Sequence, residues 1–209
     1  MTTGMRTVTT LDERVVFLRE FLRHPRQIGS VTPSSRFLER RIVDLAEVPG
    51  AELIVELGAG TGGTTRAILA SMAKGARLLT IEINPRFCAL LQRIADPRFT
   101  VHCASATDLA VILSRHALEG ADAIVSGIPF STMDRGVGSR ILATVAAALR
   151  PGGRFVAYQW SREVDGLSRP FLGRARVEVA LLNLPPMRLY RWDKRNGAVR
   201  DFRLPGDPA

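Results

Sequence analysis

The ten residues 53–62, LIVELGAGTG, constrain the fold of this chain more than any other segment. A short apolar run ends near Glu56 and is followed by glycines at three alternate positions. Such a run is typical of a buried strand, and the glycines allow the tight turn through which a strand passes into a helix. A second apolar run, residues 78–81, ends in Glu82. The pattern predicts two parallel strands that each carry an acidic residue near the carboxyl end.

The rest of the chain continues this alternation of strands and helices. We predict further strands at residues 99–103, 121–125 and 154–158, and helices near residues 63–73, after Asn84-Pro85, and near 108–118 and 137–149. Pro151-Gly152-Gly153 is predicted as a turn into the fifth strand. Residues 175–182 and 188–192 are predicted as two strands with no helix between them, which indicates an antiparallel pair. The prediction is an α/β, Rossmann-like, mostly parallel seven-stranded sheet with an antiparallel last strand.

The amino-terminal part has a different pattern. Over residues 11–23 the leucine, valine and phenylalanine side chains share one helical face, and arginines border it. This predicts an amphipathic helix, which either packs on its own domain or lies on a membrane surface. We therefore divide the chain into a helical segment (1–50), a sheet domain (51–192) and a tail (193–209).

Composition and charge narrow the class of protein. The 209 residues are 46% hydrophobic and 23% charged, which is typical of a globular domain. The formal net charge is +9, and only Lys74 and Lys194 are lysines. Arginine-rich surfaces suit phosphate partners, either nucleic acid or an anionic membrane, although a merely solvated surface remains the alternative.

Other bulk features exclude several classes. No apolar run approaches the roughly 20 residues that cross a bilayer, and the start of the chain is polar, so we expect a cytoplasmic protein. Cys88 and Cys103 lack metal-ligand spacing and are predicted as buried thiols. No metal site is expected.

The glycine segment by itself leaves the cofactor open. Residues 58–63, GAGTGG, also match the dinucleotide pattern GxGxxG, which alone is weak evidence. Glu56 two residues before the first glycine, the Pro151-Gly152-Gly153 segment and the hairpin-like end favour S-adenosylmethionine. Glu82 is placed to accept hydrogen bonds from ribose hydroxyls.

The combination of VELGAGTG, IEIN, PGG and an antiparallel end resembles the class I methyltransferases over about residues 51–192. The resemblance implies that residues 56–62 line the methionine part of S-adenosylmethionine, that Glu82 binds the ribose and that Ile83 packs against the adenine. Ser105 stands where an acidic residue usually contacts the adenine amino group, and Asp108 is predicted as a helix cap. The implied cofactor residues after the strands are Glu56, Gly58, Ala59, Gly60, Thr61, Gly62, Glu82, Ile83, Ser105 and Ala106.

The loop after the fourth strand, residues 125–130 (VSGIPF), is the predicted acceptor site. In amino-methylating enzymes of this fold such a loop begins with a polar residue and contains a proline and an aromatic residue. The resemblance therefore implies catalytic roles for Ser126, Gly127, Pro129 and Phe130. Phe130, Tyr158 and Trp160 are predicted to bind the substrate, because aromatic faces attract a headgroup that gains positive charge.

Together with HPRQIGSVTPSS near the start, these motifs are similar to the short bacterial phospholipid N-methyltransferases over about residues 14–192. Those enzymes convert phosphatidylethanolamine stepwise to phosphatidylcholine and are related to the ribosomal RNA adenine dimethylases. The similarity implies that Ser30, Thr32 and Ser34 lie over the cofactor and that the enzyme associates peripherally with an anionic membrane.

Three alternatives remain open: methylation of adenine N6 in ribosomal RNA, methylation of another small amine or amino-lipid, and a non-catalytic module that binds S-adenosylmethionine. RNA methylation is disfavoured because the chain has no residues left for the usual helical domain, and because Ser126 replaces the usual asparagine. The oligomeric state is not predicted.

Overall fold

The structure is a computed structural model that describes residues 36–180 and 187–194. The predicted amphipathic helix, Ser30, Thr32 and Ser34 lie outside these residues, as does all but the first two residues of the predicted tail. The described helices are α1 Arg36–Leu45, α2 Gly63–Ser71, α3 Pro85–Leu91, α4 Leu109–Arg115, α5 Arg135–Ala148 and α6 Glu163–Leu172. The strands are β1 Leu53–Leu57, β2 Arg77–Glu82, β3 Phe99–Cys103, β4 Ala121–Ser126, β5 Leu149–Gln159, β6 Arg176–Ala180 and β7 Met187–Asp193.

The seven strands form one sheet in the order β3-β2-β1-β4-β5-β7-β6. Strands β1 to β5 are parallel to one another, whereas β7 lies between β5 and β6 and is antiparallel to both. The predicted Rossmann-like α/β class, with seven strands and an antiparallel last strand, is confirmed. The acidic residues fall where predicted, since Glu56 lies on the central strand β1 and Glu82 ends its neighbour β2.

Both faces of the sheet are covered, which explains why the central strands are almost continuously apolar. On one face α4, α5 and α6 bury residues such as Ile124 and Phe155, and the Phe155 ring stacks on Trp192 at 5.1 Å between centroids. On the other face α1 and α2 cover residues such as Ile54 and Val125. The ligand-binding edge is therefore left to the loops at the carboxyl ends of the strands.

Three local predictions were wrong. Pro151-Gly152-Gly153 is part of β5, because the Gly152 amide donates to the Lys194 carbonyl at 2.8 Å and so pairs with the end of β7. Helix α6 was not predicted at all. Cys88 is buried, but Cys103, the last residue of the edge strand β3, is exposed.

Within the described residues no helix combines the length and the apolar character that crossing a membrane requires.

Candidate functional site

The glycine segment turns at the carboxyl end of β1. Gly58, Gly60 and Gly62 have φ angles of 74°, 56° and 83°, a region that side chains rarely adopt. The Gly58 amide donates to the carbonyl of Ile81 on β2 at 2.9 Å, which ties the loop to the neighbouring strand. A Cβ built on Gly60 meets no atom within 4 Å. The loop therefore borders open space, and the backbone is accessible to a ligand.

Glu82 connects the ends of β1 and β2. Its Oε2 accepts the Gly60 amide at 2.9 Å, and its Oε1 accepts the Asn84 amide at 2.8 Å. Burial raises the pKa of this carboxyl, and the backbone hydrogen bonds partly oppose that shift. The predicted ribose-binding residue thus also fixes the conformation of the glycine loop.

Glu56 is fully buried beneath this loop. Its Oε2 accepts hydrogen bonds from the hydroxyls of Thr65 on α2 at 2.6 Å and of Thr80 on β2 at 3.0 Å. Its Oε1 has no hydrogen-bond partner among the described residues. Burial raises the pKa of Glu56 to about 7, although the two threonine hydroxyls act in the opposite direction. An unpartnered buried carboxylate oxygen fits a cationic neighbour such as the ammonium group of S-adenosylmethionine.

The loop after β4 is held from both sides. The Gly127 amide donates to the Leu57 carbonyl at 2.9 Å, and the buried Ser126 hydroxyl accepts the Ile128 amide at 3.3 Å. The Gln159 side chain donates to the Ile128 carbonyl at 2.6 Å. Ser126, predicted to hold the acceptor, therefore shapes the loop, and that catalytic role stays a prediction.

The glycine loop and the loop after β4 meet at Tyr158. A Cβ built on Gly127 would lie 2.4 Å from the Tyr158 hydroxyl and 2.8 Å from the Gly58 carbonyl, so only glycine fits there. The Thr64 hydroxyl donates to the Tyr158 hydroxyl at 3.3 Å. Burial raises the pKa of Tyr158, so the phenol keeps its proton near neutral pH. The structure thus brings Tyr158 to the junction where the glycine loop and the loop after β4 touch.

The other two predicted aromatic residues lie in different surroundings. Phe130 is 2% exposed and belongs to the core beneath α5, where it lies near Gly138. Trp160 is 45% exposed and follows the last residue of β5. Pro129, directly before Phe130 in the chain, is half-buried. Of the three aromatic residues predicted to bind the substrate, Phe130 therefore lies in the core, Tyr158 is half-buried, and Trp160 is exposed.

The predicted adenine-contact segment lies beside β2, since the Ala104 amide donates to the Glu82 carbonyl at 3.0 Å. The Ser105 hydroxyl accepts the Thr107 hydroxyl at 2.8 Å and its amide at 3.3 Å, so it caps the short 3-10 helix at residues 106–108. Asp108 occupies the N-cap position of α4, as predicted, but its side chain forms no cap hydrogen bond there. The remaining predicted cofactor residues are half-buried Ile83, buried Ala59 and Ala106, and exposed Thr61.

Sequence reasoning missed Glu39 on α1. A Cβ built on Gly63, the first residue of α2, would lie 2.6 Å from Glu39 Oε1, so this carboxylate reaches the end of the glycine loop. Burial raises the pKa of Glu39, and the charges of Arg36 and Arg66 oppose the shift. Glu39 sits among arginines on a helix without any motif, and no signal in the sequence distinguishes it from a solvated surface residue.

The sequence profile of the methyltransferase domain family matches residues 54–153. The chain is 33% identical over 181 residues to an ornithine lipid N-methyltransferase from Singulisphaera acidiphila, with 84% of this chain and 93% of that protein covered. It is also 34% identical over 99 residues to ribosomal RNA small subunit methyltransferase A from Phenylobacterium zucineum. That match covers 45% of this chain and only 32% of the relative.

Solved structures share the fold. The N-methyltransferase NodS from Bradyrhizobium japonicum superposes with a TM-score of 0.66 at 16% identity, covering 79% of this chain and 98% of NodS. A 1,6-didemethyltoxoflavin-N1-methyltransferase from Burkholderia thailandensis, with bound S-adenosylhomocysteine, gives 0.64 at 15% identity and covers 94% of this chain and 93% of that one. The chain therefore belongs to the class I S-adenosylmethionine-dependent methyltransferases, in the family of which the ornithine lipid N-methyltransferase is a member.

Proposed function

We propose that this enzyme methylates the amine of a membrane amino-lipid, with phosphatidylethanolamine as the acceptor that the sequence motifs predict. The observation that carries the proposal is the similarity to a lipid N-methyltransferase along 93% of that relative's length. Ornithine lipid is the second candidate acceptor, because it is the one that the relative's name states.

S-adenosylmethionine, when bound, supplies a methyl group on a sulfonium, which needs no further activation. The residues of this chain have to hold the acceptor amine against the cofactor and exclude water, and such positioning contributes roughly 7–11 kcal/mol to catalysis. In this proposal the glycine loop holds the cofactor and the loop after β4 holds the acceptor, and we call them the cofactor loop and the acceptor loop. The two loops touch at the junction of Gly58, Gly127 and Tyr158. Exposed Trp160 at the same edge offers a ring face to a headgroup that becomes a fixed cation.

The acceptor amine must lose a proton before it is methylated. His102 and His116 lie 2.8 Å apart between their Nε2 atoms, on β3 and just after α4, away from this junction. Tyr158 retains its own proton, and Glu56 is fully buried. We therefore assign the proton to water at the acceptor side and not to His102 or His116.

RNA methylation is the weaker proposal. The ribosomal RNA small subunit methyltransferases A of two organisms match only 45% and 49% of this chain. The arginine-rich charge of +9 fits RNA and an anionic membrane equally well, so it does not favour either. Two further alternatives are methylation of another small amine and cofactor binding without transfer. The experiment below distinguishes both of them from lipid and RNA methylation.

The test is methyl transfer from labelled S-adenosylmethionine to three acceptors: phosphatidylethanolamine vesicles, ornithine lipid vesicles and ribosomal RNA. We expect label in phosphatidylethanolamine, with mono-, di- and trimethylated products in sequence. Label in ornithine lipid alone would move the assignment to the second candidate, and label in RNA alone would overturn the lipid proposal. Binding of S-adenosylhomocysteine without transfer to any of the three would support the remaining alternatives.

A matched pair of variants links the activity to this site. Glu82→Gln replaces the carboxylate that accepts the Gly60 amide and should reduce transfer at least tenfold. Glu178→Gln changes an exposed carboxylate on β6 that pairs with Arg41, and should leave transfer within about twofold. Equal loss in both variants would mean that the activity does not depend on the described cofactor loop.

A further inference from the structure

Five residues on one edge of the sheet form an exposed surface, of which the proposed chemistry uses only the ring of Trp160. Trp160, Val177 and Val179 are 45%, 49% and 52% exposed, which makes them three of the most exposed large apolar side chains among the described residues. Arg162 is exposed next to Trp160, and Arg188 is half-buried beside it. We call Trp160, Arg162, Val177, Val179 and Arg188 the edge patch.

Strand register and hydrogen bonds place these residues together. Val179 on β6 lies opposite Arg188 on β7, and Val177 lies opposite Tyr190, so the valines share the sheet face of these partners. The Tyr190 hydroxyl donates to the Ser161 carbonyl at 2.9 Å, which brings the loop after β5 over the same face. The Arg188 guanidinium donates to the Trp160 carbonyl at 2.6 Å.

The patch is positively charged as well as apolar. Arg162 and Arg188 both lie close enough to Tyr190 to oppose the rise that burial causes in its pKa. Neither arginine forms an ion pair within residues 36–180 and 187–194, whereas nearby Asp165 is paired with Arg169 at 3.2 Å. Glu178, between the two valines, points to the opposite face, where it pairs with Arg41.

We propose that the edge patch docks on the surface of an anionic phospholipid membrane. Aliphatic side chains and an indole insert among lipid headgroups, and each arginine near an anionic surface adds about 1 kcal/mol of attraction, or about fivefold in binding. Single-stranded RNA is recognised by successive bases that stack on aromatic rings, whereas this patch has one such ring, Trp160, beside two valines on which no base can stack. The combination of valines, indole and guanidinium groups therefore fits a lipid surface.

The patch lies next to the acceptor loop. Trp160 directly follows Gln159, whose side chain donates to the Ile128 carbonyl of that loop. A membrane docked on the edge patch thus brings its headgroups to the edge of the sheet at which the cofactor and acceptor loops meet. This role rests on the proposed lipid function, but the docking itself is tested without any methyl acceptor.

The chain contains two tryptophans, and only Trp160 is exposed, since Trp192 is 1% exposed in the core. The experiment uses the full chain with vesicles of phosphatidylglycerol and phosphatidylcholine, which contain no amine to methylate. We expect a blue shift of the emission and at least threefold protection from acrylamide quenching. Trp160→Phe should abolish the response, because the remaining emission comes from buried Trp192. Vesicles of phosphatidylcholine alone should give little response.

Two pairs of variants test the surface by co-sedimentation. Arg162→Gln should weaken vesicle binding about fivefold, and the control Lys74→Gln, an exposed cation between α2 and β2, should change it less than twofold. Val177→Thr with Val179→Thr should weaken it severalfold, whereas Val111→Thr on α4, which is 53% exposed, should not.

Several results would overturn the proposal. Co-sedimentation with unchanged Trp160 emission would place the membrane contact elsewhere in the chain. A response to RNA but not to vesicles would identify a nucleic-acid surface, and a concentration-dependent response without either would identify a second copy of the chain. If docking occurs but no amino-lipid is methylated, the proposed function fails and the edge patch stands. If an amino-lipid in detergent micelles is methylated but the chain does not dock on vesicles, the edge-patch proposal fails and the proposed function stands.

Discussion

Glu56 is the residue at which the stability of the fold and the predicted binding of the cofactor both depend on one proton. Burial raises its pKa from an ordinary value of 4.5 to about 7, so the folded state binds this proton more tightly than the unfolded chain. The stabilising effect of that proton is complete below pH 4.5 and is lost as the pH rises through 7. The cofactor-free protein therefore carries a partly protonated carboxyl under its cofactor loop at neutral pH.

Binding of S-adenosylhomocysteine should release protons near pH 7. A cation near a carboxyl lowers its pKa, so the ligand's ammonium group would displace up to about one proton from Glu56. Calorimetry in buffers with different ionisation enthalpies measures this release directly. Glu56→Gln should bind with the same heat in every buffer. Buffer-independent heats in the unmodified protein would show that the ammonium group lies away from Glu56.

Gly127 is the position at which a single methyl group should do most damage. Gly127→Ala places a Cβ 2.4 Å from the Tyr158 hydroxyl and 2.8 Å from the Gly58 carbonyl, so both loops have to move. Overpacking of this kind costs about 1–3 kcal/mol in free energy of unfolding. Gly75→Ala is the control, because its Cβ meets no atom within 4 Å. Urea unfolding and transfer assays should show a loss only in the first variant, and an equal effect in both would contradict the contact.

At the scale of elements, Arg191 ties α1 to the antiparallel end of the sheet. Its guanidinium donates to the Leu45 carbonyl at 2.9 Å and to the Glu47 and Asp193 carboxylates at 2.7 and 2.6 Å, and its side chain is 17% exposed. Helix α1 carries Glu39 to the glycine loop, so this link also positions a carboxylate of the site.

Arg191→Gln should lower the free energy of unfolding by about 1–3 kcal/mol, because a partly buried charge-assisted network is lost. Hydrogen exchange in α1 should become faster. Arg169→Gln removes an exposed pair with Asp165 one helical turn away and should cost less than about 0.5 kcal/mol. Unchanged exchange in α1 in the Arg191 variant would mean that packing alone holds the helix.

The elements that could be predicted are those whose signal is local. Strands β1, β2 and β4 are buried on both faces and appear as apolar runs, and Asn84-Pro85 marks the start of α3, where the Asn84 side chain accepts the Arg86 amide. Helix α6 contains Gly166 and Pro170, both poor helix formers, and it is held by packing on α5 and β7. The extension of β5 through Gly152 depends on pairing with Lys194, which lies 42 residues later in the chain.

The candidate site divides in the same way. Glu56 and Glu82 lie near the carboxyl ends of β1 and β2, and the glycine loop follows β1, so the positions of all three could be predicted from the sequence alone. Tyr158 and Gly127 contact each other only because β4 and β5 are neighbours in the sheet, and Glu39 reaches the loop only through the packing of α1 on α2. Contacts between distant segments leave no periodic pattern in either segment, and their existence becomes visible only in the folded chain.

At the scale of the whole molecule, the net charge of +9 should act on encounter with the membrane and not on chemistry. Attraction between an arginine-rich protein and an anionic surface is screened beyond about 8 Å at physiological ionic strength and about 3 Å at 1 M salt. The hydrogen bonds of Glu56, Glu82 and Tyr158 described above are buried or partly buried, so salt screens them much less.

Raising sodium chloride from 0.05 to 0.5 M should therefore reduce methylation of an amino-lipid in phosphatidylglycerol vesicles by about tenfold or more, since about 1 kcal/mol per basic residue is being screened. The same lipid in neutral detergent micelles should be methylated at a rate that changes less than about twofold, because no anionic surface has to be reached. The affinity for S-adenosylhomocysteine, measured across the same salt series, serves as the control for the site itself. An equal fall of the methylation rate in vesicles and in micelles would place the salt-sensitive step at the acceptor loop. An unchanged rate in vesicles would show that the net charge of the molecule does not contribute to its encounter with the lipid.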